Sequence, residues 1–173
     1  TRNEDIMGSS AIGVGQIVTA LAEVSRRPRY AFMVLNLISE VAGPDGKAGP
    51  YVQAGGQTIP LRDWLSDNLA PLAQDERRRA DLRRRLMAEM KNELPDDPEQ
   101  AERLVDAAVR ERIRAVGKTN ISHAVSDLVR AGLIKRHYEG WARNHVNRGG
   151  QRHAVYVVDG DVLAALRRGT QLL

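Results

Sequence analysis

Cysteine is absent from the 173 residues. That excludes a disulfide framework and any cysteine-rich zinc module, and it makes an intracellular compartment the simplest expectation. Long apolar runs are absent too: none approaches the ~18 residues that a membrane span needs. The one apolar stretch near the start, residues 11–24, lacks a basic lead-in and is interrupted by Gly13, Gly15, Gln16 and Glu23, so it does not read as a secretory signal. A soluble, cytoplasmic protein is expected, with no membrane partner. There is no internal repeat and no low-complexity tract. Catalytic groupings are missing as well, since no Ser/His/Asp order and no clustered carboxylate pair stands out, and Asp96-Asp97 is explained by helix capping. No enzyme, no catalytic residue and no cofactor are expected.

What is present is a cationic surplus confined to one stretch. The formal net charge is +4. Residues 118–153 hold seven Lys/Arg against two Asp/Glu, while residues 72–117 hold eleven of each. All four histidines, His123, His137, His145 and His153, lie in the basic stretch. A cationic face on an otherwise balanced chain is the electrostatic footprint of a phosphate-backbone partner. Metal binding is not expected, because the histidine spacings match no helical or knuckle ligand pattern. Gly117-Lys118-Thr119 imitates the end of a phosphate-binding loop, but the position that should carry its first glycine is Arg112.

The length allows about one domain, or one domain with an appended oligomerisation element. Val14, Ile17, Val18, Leu21 and Val24 recur at helical spacing, so a helix is expected over about 15–26, broken by Pro28. A second helix over 29–41 is apolar nearly all round. Residues 43–56 are punctuated by glycine and proline and read as loop, with a possible hairpin at Gly55-Gly56. Thr58-Ile59 reads as a short strand, and Pro60 opens a helix whose Leu61, Trp64, Leu65 and Leu69 share one face. Two long helices follow, over about 74–94 and 99–116, separated by Pro95-Asp96-Asp97-Pro98, with Asp97 as N-cap. They are expected to form an antiparallel hairpin.

Lys118, Thr119 and Asn120 offer cap chemistry for a new helix that buries Ile121, Val125, Leu128 and Val129. Gly132 sits where a left-handed C-cap belongs, with Leu133 as its apolar companion. A strand over 133–138, a basic tip at Arg148-Gly149-Gly150-Gln151, a returning strand over 154–158 and a closing helix over 161–168 complete the chain.

Residues 117–158 carry a resemblance. Ile121, Ser122, Val125, Leu128, Ala131, Gly132, Leu133 and Ile134, followed by a basic hairpin, resemble the recognition helix and wing of bacterial winged helix-turn-helix regulators of the MarR/ArsR broad class. The resemblance implies a mainly α fold with a small β-wing, in which residues 119–131 are the recognition helix and residues 138–153 the wing. The helix ahead of it departs from the family pattern: Arg110 and Arg114 would fall at buried positions. Leu61–Leu69 is therefore taken as the second helix, 29–41 as the first, and Thr58-Ile59 as the third strand of the winged sheet. The consequence is a winged domain over 28–173 with a helical hairpin inserted or appended at 71–116, preceded by an N-terminal segment, 1–27, that serves oligomerisation.

The resemblance and the charge assign the site. On the helix, Asn120 and His123 are expected to face base edges, with Lys118, Thr119, Ser122 and Ser126 facing bases or phosphates. Around the wing, Arg136, Arg143, Asn144, His145, Asn147, Arg148 and Arg152 supply donors, and Gly149-Gly150 allows close approach to phosphate or minor groove. Trp141 is expected to anchor the wing base. The arginine triplets 77–79 and 83–85 read either as a second DNA contact or as a solvated face. Double-stranded DNA is the expected partner and a homodimer the expected assembly. A transcription regulator is the leading reading, with a plasmid or phage replication or partition protein, or a protein-interaction scaffold, as the alternatives. No effector molecule is named by the sequence.

Overall fold

The structure is a computed structural model, and it describes residues 12–73, 76–140 and 152–170. Among these the chain runs α1 (Val14–Val24), α2 (Pro28–Val41), β1 (Lys47–Ala48), β2 (Tyr51–Ala54), β3 (Gln57–Pro60), α3 (Leu61–Ala73), α4 (Glu76–Met90), α5 (Pro98–Arg130), β4 (Ile134–Glu139), β5 (His153–Val158) and α6 (Gly160–Thr170). It is mostly helical with a small antiparallel sheet, as expected. Two compact units result, one from residues 1–61 with 123–173 and one from residues 62–122.

The first unit is built on α2. Pro28 is its first residue rather than a breaker of the helix before it, because proline lacks only a donor that the first turn does not use. Ala31, Val34, Leu35 and Ile38 are fully buried at helical spacing. Each large aliphatic group so buried contributes about 1.5–3 kcal/mol, so this stripe sets the position of the helix. Helices α1 and α6 and strands β1 and β5 pack on α2, with Ile17 and Leu21 from α1 and Val162, Leu163 and Leu166 from α6 closing the core. Asp159 caps α6, its Oδ1 accepting the Asp161 and Val162 amides at 3.0 and 3.2 Å.

The sheet of this unit has the order β1-β5-β4, all antiparallel. Strand β5 is central and its Ala154, Val155, Tyr156 and Val158 are buried. The third strand is not the expected Thr58-Ile59. Those residues belong to β3, which pairs with β2 in a separate hairpin turned by Gly55-Gly56, and it is Lys47-Ala48, in the stretch read as loop, that pairs with β5. A two-residue strand carries no periodicity, and its pairing partners lie far along the chain at Tyr156 and Val157.

The second unit contains α3 from Arg62, α4, and α5 as far as Ser122. The expected hairpin of long helices is present: Leu82 and Leu86 of α4 cluster with Val105 and Val109 of α5, and Met90, Leu94, Ala108 and Ile113 extend the contact. Arg83 pairs with Asp106 and also reaches Glu102 at 3.5 Å across the two helices. Pro98 opens α5, and the Asp97 side chain accepts the Glu99 amide at 3.3 Å.

The largest departure from expectation is that α5 does not stop at Val116. It is one helix of 33 residues, about 50 Å long at 1.5 Å per residue. Lys118, Thr119 and Asn120 are helix interior and cap nothing: Thr119 Oγ1 donates back to the Ala115 carbonyl at 3.3 Å, and Ser122 Oγ to the Lys118 carbonyl at 3.0 Å. Gly117 costs the helix about 1 kcal/mol in propensity, and the packing of α3 explains its presence. A Cβ at Gly117 would stand 2.1 Å from Ser66 Oγ. Ser66 is 2% exposed, and its hydroxyl donates to the Arg114 carbonyl at 3.0 Å. Glycine is what lets the two helices approach.

Candidate nucleic-acid interface

The end of α5 in the first unit is fixed by its cap. Gly132 adopts φ +74°, the Gly132 amide donates to the Val129 carbonyl and the Leu133 amide to the Leu128 carbonyl, both at 3.0 Å. This is the Schellman arrangement that the sequence predicts, and it directs the chain straight into β4. Arg130 is held twice, pairing with Asp127 and donating to the Val24 carbonyl at 3.3 Å. The Asp127 side chain is only 16% exposed and pairs with Arg130.

Between this helix end and β4 lies a cleft of about 400 Å³ lined by His123, Ser126, Asp127, Val129, Arg130 and Arg136. Arg136 Nη1 donates to Ser126 Oγ at 3.4 Å across it. The strand register separates the cations of β4. Arg136 lies opposite Tyr156 on the sheet face from which it reaches Ser126, whereas Lys135 and His137 lie opposite Val157 and Val155 on the other face. On that other face Glu139 pairs with Lys47 at 3.0 Å and His137 at 3.4 Å. These contacts, led by the Lys47 hydrogen bond, hold the Glu139 carboxyl below its usual pKa. Arg152 is exposed just ahead of β5, and His153 meets the Tyr51 ring with centroids 4.9 Å apart.

In the second unit two of the four assigned residues, Lys118 and Ser122, contact α3. Lys118 Nζ sits 3.1 Å from Asp63 Oδ1, without the alignment of a hydrogen bond, so that oxygen has charge compensation but no hydrogen-bond partner among the described groups. Arg62 Nη2 donates to Ser122 Oγ at 2.7 Å and to the Lys118 carbonyl at 3.3 Å. Arg114 grips Asp67 through two bonds, of 3.0 and 2.5 Å. Those bonds are the main cause of a guanidinium pKa raised above its usual value. These contacts of Lys118 and Ser122 run to α3. Asn120 is half-buried and Thr119 exposed.

Of the assigned residues, the structure brings together His123, Ser126 and Arg136 around one cleft, and it adds Arg130, which the sequence reading left out. The signal for the α3 contacts was present: Asp63 and Asp67 on one helix match Lys118 and Arg114 on another, each pair at a spacing of one helical turn. Arg143, Asn144, His145, Asn147 and Arg148, together with Trp141, lie outside the described residues. Among the described residues no group of three or more His, Cys, Asp or Glu is placed to hold a metal ion, and no helix is long and apolar enough to cross a membrane. No protein-family model matches the chain, and neither do the curated proteins or the solved structures.

Proposed function

We propose that this chain is a sequence-specific double-stranded DNA-binding protein, a transcription regulator built on the winged-helix plan and acting as a homodimer in the cytoplasm. The observation that carries the reading is the strand order β1-β5-β4. A winged helix follows helix, strand, helix, helix and two-stranded wing, with the early strand returning to the outer side of the wing's second strand. The chain order α2, β1, α3, α5, β4, β5 is compatible with that plan, with β2-β3 and α4 as additions. The charge distribution supports it independently, since residues 118–153 hold the cationic surplus.

In this reading the groove-facing groups are His123, Ser126 and Arg136, joined by Arg152. Ser126 and Arg136 are mutually bonded, so they present one donor surface rather than two independent side chains. Arg136 supplies phosphate neutralisation, and His123, exposed on α5, has the donor and acceptor capacity to read a base edge. Two copies would address half-sites about 34 Å apart.

The test is selection of bound sequences from random duplex DNA at physiological salt. An enriched palindrome with one-turn half-site spacing supports the reading. Absence of enrichment, together with no salt-dependent binding to any duplex, overturns it.

A further inference from the structure

The second unit contains a larger cavity that the DNA reading does not use. It lies between α3 and α5 with the start of α4 at its lip, and its volume is about 600 Å³, within the ~300–1,000 Å³ of small-molecule sites. Its walls are apolar where Ala70 and Pro71 of α3 face Ala107 and Ile113 of α5. Pro71, inside a helix, adds its apolar ring to this wall.

The charges around this cavity do not cancel. Three guanidiniums, Arg79, Arg110 and Arg114, line it against two carboxylates, Asp67 and Glu111. Both acids act on the same base: Asp67 bonds Arg114 directly and Glu111 lies close enough to raise its pKa. Arg79 and Arg110 are exposed and have no ion pair to a described residue. Among the described residues the balance is one positive charge beside an apolar wall.

We propose that this cleft binds a monoanionic amphiphile, a small molecule with one carboxylate or sulfonate head and an apolar body. The head sits between Arg110 and Arg79, where guanidinium forks match a planar or trigonal anion. The body lies on Pro71, Ala70, Ala107 and Ile113. A polyphosphate is the wrong ligand, because two carboxylates line the same cavity and the surplus is a single charge. The proposal stands independently of DNA binding.

The test is a fluorescence titration of the full chain with anilinonaphthalene sulfonate, competed by decanoate and by decyltrimethylammonium, which has a similar tail and the opposite charge. One saturable site, displaced by decanoate at least tenfold more effectively than by the cation, is expected. Arg110→Gln should weaken binding at least fivefold, Ala107→Trp should abolish it by filling the cleft, and Arg103→Gln, on the same helix away from the cavity, should change nothing. Circular dichroism of each variant establishes that α5 is intact. Absence of saturable binding, or binding indifferent to Ala107→Trp, overturns the site. Loss with Ala107→Trp but indifference to Arg110→Gln overturns the anionic head.

Discussion

Replacing Gly117 with alanine sets two physical effects against each other. Within a helix the change is favourable by about 0.8–1 kcal/mol, and if α5 were an isolated rod the variant would be more stable than the parent. The packing against α3 opposes this. The new methyl would stand 2.1 Å from Ser66 Oγ and 3.1 Å from Ser66 Cβ. Clearing the first contact means rotating the hydroxyl away from the Arg114 carbonyl it bonds at 3.0 Å. Ser66 is 2% exposed, and a buried hydroxyl left without a partner costs about 1–3 kcal/mol. The second contact remains and asks the helices to part by a few tenths of an ångström. A net destabilisation of about 1–2 kcal/mol is expected, which for a chain of this size lowers Tm by roughly 2–8 °C. Urea titrations followed by far-UV circular dichroism, run as a double-mutant cycle with Ser66→Ala, separate the terms. The double variant should recover at least about 1 kcal/mol relative to additivity, because the hydroxyl has gone. A Gly117→Ala protein more stable than the parent, or a cycle without coupling, would refute the account of why glycine interrupts this helix.

Further outcomes follow from other parts of the molecule. Gly132→Ala places a Cβ on a residue at φ +74°, and a loss of about 1–2 kcal/mol in the same urea assay is expected from the left-handed backbone alone, since nothing stands within 4 Å of that Cβ. Glu139 has its folded pKa depressed below 4.5, so the stability linked to its charge is present above the ordinary glutamate value and is lost as pH falls through the depressed one. The Tm difference between the parent and Glu139→Gln should therefore persist at pH 5 and close only under more acidic conditions; a difference that closes between pH 7 and 5 contradicts the assignment. Arg136→Ala should weaken duplex binding and reduce the slope of log K against log salt by about 0.9, one phosphate contact. Lys118→Gln should leave that slope unchanged, because Lys118 is committed to Asp63. Anisotropy titrations at several salt concentrations measure both.

The elements legible in the sequence are those with local chemistry. Pro28, the Gly55-Gly56 turn, the Asp97-Pro98 start and the Gly132-Leu133 cap all mark real boundaries, because turn and cap geometry is decided by residues within one turn of each other. The misreadings share a non-local cause. Gly117 to Asn120 has the composition of a break, yet the helix continues, because Asp63, Ser66 and Asp67, some fifty residues earlier, hold it from the side. The same contacts tie Lys118 and Ser122 to α3. Lys47-Ala48 escaped notice for the converse reason, since all that makes it a strand is β5 beside it.

Among the described residues no strand pairs with the outer edge of β4, where Lys135, Arg136, His137 and Tyr138 are all exposed. An open strand edge is a template on which another chain can add itself, and successive positive charges are among the devices that prevent this. By that rule the cations of β4 are expected to disfavour edge-to-edge stacking of copies of the protein, whatever they do for DNA. Variants that neutralise several of them at once should form soluble aggregates visible by light scattering, and an apparent loss of DNA affinity in such variants reports the strand's exposed edge as much as any phosphate contact.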